Sequence, residues 1–156
     1  ISTGNKSEMS VGYSTIYGDM NGGFNVLKDV YKTELYKLAN WRNNLKEKLF
    51  KGPSSKVIPE NSITKPPSAE LSLNQKDTDS LPPYEILDEI LYYLIEKEFS
   101  LEEICKKGFK PSVVKKIRNL LVKSEYKRRQ APPGVKISVR SFGKERRYPI
   151  TNQFKI

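Results

Sequence analysis

The first twelve residues restrict the fold most, because a strand end there leads through a Ser-Thr-Gly turn into a helix. Ile1-Ser2 predicts the end of a β-strand. Asn5 and Glu8 have capping-box spacing, which predicts a short helix over 5–12 that Gly12 closes. A strand that turns into a helix N-terminus leaves free backbone N–H groups and the positive end of the helix dipole at one pocket, which favours an anion site. The alternative is that Glu8 only satisfies the backbone of Asn5.

Composition excludes several classes of site. The 156 residues can bury one modest core, so we expect one domain or part of one. One cysteine, Cys105, and no histidine exclude an internal disulfide, Ser-His or Cys-His catalytic pairs and the usual zinc sites. Since no disulfide framework is possible, we expect a cytoplasmic location. No apolar run approaches the roughly twenty residues that cross a bilayer, so we expect no membrane partner. Because Ile1 lies in mid-pattern and is not methionine, we expect the C-terminal piece of a longer protein.

Charge is concentrated in the last third of the chain. Residues 106–156 carry sixteen Lys and Arg against two acids, whereas residues 1–105 carry twelve against sixteen. A basic third beside a mildly acidic remainder indicates an anionic partner or an anionic neighbouring surface.

Hydrophobic periodicity predicts a mostly helical chain. We divide it into four regions: the end of a core (1–64), a mobile loop (65–81), a helical region (82–130) and a basic tail (131–156). The predicted elements are a β-tolerant run Tyr13–Tyr17, a helix Val30–Phe50 capped by Asp29, an apolar helix after Pro82-Pro83, helices Leu101–Lys107 and Ser112–Arg129, and a strand Val135–Arg140.

Three features leave alternatives open. Asp19 lies in a Gly-rich loop, where an aspartate often makes an Asx turn. Lys32 falls in a first helical turn, which disfavours a cation unless an anion shares the site, although a solvated surface lysine is the plain alternative. The aperiodic stretch 65–81 is either a functional lid or a flexible linker.

Helices Leu101–Lys107 and Ser112–Arg129 also have the spacing of a helix-turn-helix. Lys116, Lys123 and Lys127 would share one face of the second helix and could neutralise phosphates of DNA. Nucleic-acid binding by such a helical module is the alternative function. It does not account for the motifs in residues 2–19 and 65–71.

A series of short motifs accounts for these stretches together. They are Ser2-Thr-Gly-Asn-Lys-Ser-Glu8, Gly12-Tyr13, Tyr17-Gly-Asp19, Asp29-Val-Tyr-Lys-Thr33, Lys65-Pro-Pro-Ser-Ala-Glu-Leu71, Asp77-x-Asp79 and Tyr126-Lys-Arg-Arg-Gln-Ala-Pro-Pro133. Their order and spacing resemble the C-terminal half of NAD synthetases, and the tail Arg140–Thr151 resembles the glutamine-dependent branch. The resemblance implies an α/β fold, the C-terminal part of a Rossmann-like ATP-pyrophosphatase domain of the adenine nucleotide alpha hydrolase-like class. The segment itself would be mostly helical because most parallel strands lie upstream.

The resemblance also implies a reaction and its partners. The family uses ATP and Mg²⁺ to adenylate deamido-NAD, and ammonia then displaces AMP to give NAD. In the glutamine-dependent branch a separate N-terminal glutaminase domain releases that ammonia, and family members form homo-oligomers. On matching positions the implied roles are ATP contacts for Thr3, Lys32 and Ser68, a magnesium ligand for Glu8, and deamido-NAD contacts for Asp19 and Lys127.

The chain departs from the family pattern at several positions. Ammonia-dependent relatives have a lysine at the position of Ile16, an aspartate at Gly23 and a histidine at Tyr126. The pyrophosphate-binding motif Ser-Gly-Gly-x-Asp-Ser and the glutaminase nucleophile are absent from the 156 residues. We therefore expect no amidation by this segment alone.

Overall fold

The computed structural model describes residues 1–45, 51–53, 56–65 and 81–151. Helices dominate these ranges, and within them the strand pairing is limited to isolated bridges. The helices are α1 Lys6–Val11, α2 Lys32–Asn44, α3 Glu60–Thr64, α4 Tyr84–Ile95, α5 Leu101–Lys106, α6 Pro111–Lys123 and α7 Glu125–Gln130. In the described part of the chain, no helix is both long and apolar enough to cross a membrane.

The core lies where α1, α4 and α6 pack together. The apolar stripe predicted after Pro82-Pro83 is buried on α4, at Leu87, Ile90, Leu91, Leu94 and Ile95, whereas Ile86 is 40% exposed. Val114, Ile117 and Leu121 of α6 and Met9 of α1 meet this stripe in the same cluster. Each fully buried leucine or isoleucine side chain stabilises the fold by about 1.5–3 kcal/mol, so this contact anchors α1.

The capping box predicted for α1 is present. Asn5 Oδ1 accepts from the Glu8 backbone N–H at 2.9 Å, and Glu8 Oε2 accepts from the Asn5 N–H at 3.2 Å. Gly12 ends the helix in the left-handed conformation, with φ +75°. Local sequence therefore determines this helix, as expected from its cap residues.

Three other helix boundaries differ from those predicted. Asp29 does not cap α2: the N-cap residue is Tyr31, and the Asp29 carboxylate accepts instead from the tail. The predicted helix Ser112–Arg129 begins after Lys110, with Pro111 in its first turn, and divides at Ser124 into α6 and α7. Residues 46–50, the last part of the predicted helix Val30–Phe50, lie outside the described ranges.

The two predicted extended segments are also corrected. Residues 13–17 form no strand: residues 13–15 are irregular, and the turn 16–20 follows, in which Asp19 Oδ1 accepts from the Thr15 N–H at 2.5 Å. Residues 135–140 make no strand, because the Asp29 carboxylate takes the N–H groups of Ile137 and Ser138 at 2.8 and 2.7 Å. An N–H that a side chain occupies is no longer available to a neighbouring strand.

Single parallel bridges join three distant segments. Ser2 pairs with Asn25, and Asn25 pairs with Gly134. The Ser2 N–H donates to Phe24 O, and the Asn25 N–H donates to Pro133 O, both at 2.8 Å. The strand end predicted at Ile1-Ser2 is thus represented by one bridge, to Asn25, and the second bridge links Asn25 to Gly134 of the basic tail.

Candidate functional site

A carboxylate and an ammonium group form an ion pair between the N-terminal turns of α1 and α2. Lys32 Nζ lies 3.0 Å from Glu8 Oε1, and both side chains are about one-fifth exposed. The second oxygen of Glu8 serves the capping box. The two residues lie twenty-four positions apart in the chain, so tertiary packing brings together a carboxylate and an ammonium group that the sequence analysis assigned to one site.

Hydrogen bonds from α1 and α4 hold Lys32 at this position. Its backbone N–H donates to Ser7 Oγ at 2.9 Å, and the next N–H, of Thr33, donates to Asp88 Oδ2 at 2.9 Å. The Ser7 hydroxyl donates to the other oxygen of Asp88. Burial raises the pKa of Asp88, although the hydrogen bonds from Ser7 and Thr33 oppose that rise. Asp88 thus acts as the N-terminal anchor of α2, a role the sequence predicted for Asp29.

Lys32 also borders a cavity of about 540 Å³. Most of its lining is apolar and belongs to α2 and α3, with Leu35, Trp41 and Ile63 among the contributors. The Lys32 ammonium lies 5.9 Å from the ring centre of Tyr36 and 5.7 Å from that of Tyr84. Arg42 is the second cation in the lining. A largely apolar cavity of a few hundred cubic ångströms with two cations in its wall suits a ligand that combines an apolar or aromatic group with a negative charge.

A magnesium ion held by protein alone does not fit the described residues. They contain no cluster of three or more carboxylate, cysteine or histidine side chains with metal-binding geometry. Glu8 supplies one carboxylate, and Mg²⁺ is commonly held by one or two carboxylates together with phosphate oxygens of a substrate. The arrangement therefore fits a metal that Glu8 shares with a bound phosphate.

The other predicted site residues have varied surroundings. Thr3 is exposed in the turn before α1, and Ser68 lies outside the described ranges. Asp19 is exposed, and its carboxylate accepts from the backbone N–H of Thr15, four residues earlier, which is a local contact but not the Asx turn given as its alternative. Lys127 Nζ donates to Gly12 O at 2.6 Å and to Ser14 O at 2.8 Å, which places it against the end of α1.

The position of Lys127 contradicts the helix-turn-helix interpretation, which requires Lys116, Lys123 and Lys127 to share one face of a single helix. Lys127 belongs to α7, beyond the break at Ser124, and its ammonium group is bonded inside the fold. Lys116 and Lys123 remain on α6. A recognition helix needs its cations on one continuous exposed face, and the structure separates them.

A buried ammonium group that the sequence analysis missed lies one residue after the α1 cap. Lys6 is fully buried, and its Nζ lies 2.9 Å from Asp29 Oδ1 and 2.5 Å from Glu96 Oε1. The same Nζ donates to Ser138 Oγ at 2.7 Å and to Arg140 O at 2.8 Å. A lysine in the first turn of a helix is disfavoured by the dipole, and that signal, used for Lys32, could have identified Lys6 too.

Comparison with known proteins agrees with these motifs. The family model described as NAD synthase matches residues 1–131. The glutamine-dependent NAD(+) synthetase of Acinetobacter baylyi is 56% identical over 155 residues, which cover 99% of this chain and 27% of that protein. The enzyme of the same name from Thermotoga maritima is 53% identical over 155 residues, covering 99% of this chain and 26% of that protein.

One solved structure extends the similarity to the fold. The crystal structure of a glutamine-dependent NAD(+) synthetase from Cytophaga hutchinsonii superimposes with a TM-score of 0.72 at 21% identity, covering 97% of this chain and 24% of that one. The chain spans about a quarter of the length of these relatives. From the family match over most of its residues, this chain belongs to the NAD synthase family.

Proposed function

We propose that this chain supplies part of the ATP site of a synthetase that amidates deamido-NAD to NAD. The observation that carries the proposal is the meeting of Glu8 and Lys32 beside a cavity of about 540 Å³. Glu8 already pairs with the Lys32 ammonium in the first turn of α2, and the triphosphate of ATP would be a further anion for the same ammonium. The glutamine-dependent relatives support the same assignment.

The proposed reaction proceeds in two balanced steps. The nicotinate carboxylate of deamido-NAD attacks the α-phosphate of ATP, which forms an acyl-adenylate and releases pyrophosphate. Ammonia then attacks the acyl carbon, and AMP leaves as the amide forms. Lys32 would stabilise the negative charge that develops on the leaving pyrophosphate. A magnesium ion bound by Glu8 and the phosphates would supply further charge neutralisation there.

The remaining assignments belong to the same proposal. Thr3 and Ser68 would contact ATP, and Asp19 and Lys127 would contact deamido-NAD. Residues 65–81 would close over the nucleotide and limit hydrolysis of the acyl-adenylate. Ammonia would come from glutamine through an N-terminal glutaminase domain, and the complete enzyme would be a cytoplasmic homo-oligomer with a Rossmann-like α/β core.

AMP release by the intact synthetase that contains this chain tests the proposal. ATP, Mg²⁺, deamido-NAD and ammonia are supplied, and AMP and NAD are measured. Lys32→Met should lower kcat by a hundredfold or more, because one preorganised charge contact to a transition state is worth about 10²–10³ in rate. Glu8→Gln should raise the Mg²⁺ concentration needed for half-maximal rate.

Lys37→Met is the matched control, since Lys37 is an exposed lysine on the same helix. Lys37→Met should leave kcat and the Mg²⁺ concentration needed for half-maximal rate unchanged. Wild-type rates in the Lys32→Met enzyme, or AMP release that does not depend on deamido-NAD, would contradict the proposal. The 156-residue chain alone should release no AMP.

A further inference from the structure

A second concentration of charge lies between α7 and the tail. A cleft of about 160 Å³ there, called the basic cleft below, is lined by five cationic side chains and a single carboxylate, that of Glu125. The cations are Lys28, Arg128, Arg129, Arg146 and Arg147. None of these five cations has a role in the proposed amidation.

The protein neutralises only part of this charge. Glu125 pairs with Arg128 at 3.0 Å and with Arg129 at 2.7 Å. Lys28 Nζ and Arg147 Nε donate to uncharged backbone carbonyls, of Pro132 at 2.8 Å and of Gly143 at 2.7 Å. Glu125, shared by two guanidinium groups, and Glu98, which pairs with Arg146, are fewer than the five cations and leave an excess of positive charge in the cleft.

Arg146 contributes a donor that has no acceptor. Its Nη1 pairs with Glu98 at 3.1 Å, and its Nη2 donates to Leu94 O at 2.9 Å. Its Nε is buried without a hydrogen-bond partner. A buried donor without an acceptor destabilises the fold, and an acceptor on a ligand would relieve that cost.

Burial adds to the cost of this arrangement. It lowers the pKa of Lys28, and it lowers the pKa of Arg128 against the opposing charge of Glu125. Arg146 lowers the pKa of Arg128 further. The cations are thus held close together and partly dehydrated, a state that a bound anion would relieve.

We propose that the basic cleft binds an oxyanion of the phosphate class. Arginine guanidinium groups match such oxygens with paired N–H donors, and four of them line the cleft. Arg128 contributes charge only, because its guanidinium donates to Glu125 and to backbone carbonyls of α1 and α6. The contacts to the oxyanion would come from Arg129, Arg146 and Arg147. At about 160 Å³ the cleft is smaller than the roughly 300–1,000 Å³ of sites that enclose whole ligands, so it accommodates a phosphate group and not an entire nucleotide. The group is either a free ion or the phosphate of a larger molecule whose remainder lies outside.

Calorimetric titration of the 156-residue chain with inorganic phosphate at low ionic strength tests this inference. Arg129→Gln and Arg147→Gln each remove one exposed guanidinium from the rim of the cleft. Each should weaken phosphate binding about tenfold, in line with the loss of a charge-assisted contact. Lys144→Gln is the matched control: it removes one positive charge from the same tail, outside the cleft, and should change the affinity less than twofold.

Parallel titrations with pyrophosphate and with AMP distinguish the sources of the phosphate. Tighter binding of pyrophosphate than of AMP supports a free ion, and the reverse supports a nucleotide phosphate. Equal weakening by all three substitutions would overturn the inference, because it would mean general attraction to a basic tail. The inference would also be overturned if none of the three anions bound. That includes the outcome in which no anion binds and the arginine variants lose affinity for an acidic surface of the remaining synthetase.

Discussion

Lys6 shows how much of this fold depends on a single side chain. Lysine is almost never fully buried unless its charge is paired, and here two carboxylates, a hydroxyl and a carbonyl surround it. Its ring contact with Tyr31, 5.0 Å from the ring centre, adds the segment before α2. The ammonium therefore joins α1, α4 and the tail, and its removal would leave two negative charges buried together.

Replacement of Lys6 by methionine should destabilise the chain by about 3–5 kcal/mol, because breaking a buried ion pair leaves uncompensated charge. Urea unfolding followed by circular dichroism measures the change. Lys37→Met, at an exposed site, should cost less than about 0.5 kcal/mol. The triple variant Lys6→Met, Asp29→Asn, Glu96→Gln should regain part of the loss. A single variant as stable as the parent chain would show that Lys6 carries no such role.

Asp29 predicts a specific dependence of stability on pH. Burial alone would raise its pKa, but the Lys6 ammonium and the N–H groups of Ser138 and Ile137 lower it below the ordinary value of 3.8. A lowered folded-state pKa means that Asp29 stabilises the fold fully above 3.8 and loses that effect as the pH falls through the folded value. The stability difference between the chain and its Asp29→Asn variant should therefore shrink between about pH 5 and pH 2.

Asp88 is the internal control for this measurement. Its pKa is raised by burial, so the folded state binds its proton more tightly than the unfolded state does. The stability of the chain relative to Asp88→Asn should therefore increase as the pH falls, opposite in sign to the Asp29 comparison. Slopes of the same sign for the two variants would refute the assignment of these two environments.

Among the elements, the end of α1 is the most constrained. Gly12 has φ +75°, and a Cβ built there would lie 2.4 Å from Ser124 Oγ, at the break between α6 and α7. Lys127 donates to the Gly12 carbonyl at the same junction. The glycine therefore serves both the helix end and the close approach of α7, and only the first of these was evident in the sequence.

Gly12→Ala should destabilise the chain by more than the roughly 1–2 kcal/mol of left-handed backbone strain, because a steric clash is added. Gly108→Ala separates the two effects: its φ is +99°, but a Cβ there meets no atom within 4 Å. It should therefore show strain alone in the same urea titration. Adding Ser124→Ala should restore part of the stability of Gly12→Ala and none of that of Gly108→Ala. Equal losses in the two single variants would exclude the clash.

For the molecule as a whole, the tail is held by contacts that span more than one hundred residues. Gly134 pairs with Asn25, and a Cβ at Gly134 would lie 2.3 Å from Asn25 O. Ser138 and Arg140 then reach Lys6, and the carbonyl of Pro132 accepts from Lys28. The tail is therefore part of the same packed unit as α1.

Gly134→Ala should release the tail and expose its basic residues to trypsin. Cleavage after Arg140 or Lys144 should become at least tenfold faster than in the parent chain, because proteolysis follows the population of the open form. Gly143→Ala is the control within the same tail, since a Cβ there meets no atom within 4 Å. Its cleavage rate should equal that of the parent. Equal acceleration in both variants would show that the bridge at Gly134 does not hold the tail.

Local sequence alone determined the features that depend on neighbours in the chain: the capping box of α1, the apolar face of α4 and the family motifs from Ser2 to Pro133. It misjudged Asp29 and residues 135–140, because side chains more than one hundred positions away compete there for hydrogen bonds that propensity assigns locally. Only the tertiary structure brought Glu8 to Lys32, buried Lys6 and gathered the cations of the basic cleft. Charges converge according to packing, and a linear pattern does not encode which distant partner a buried charge will find.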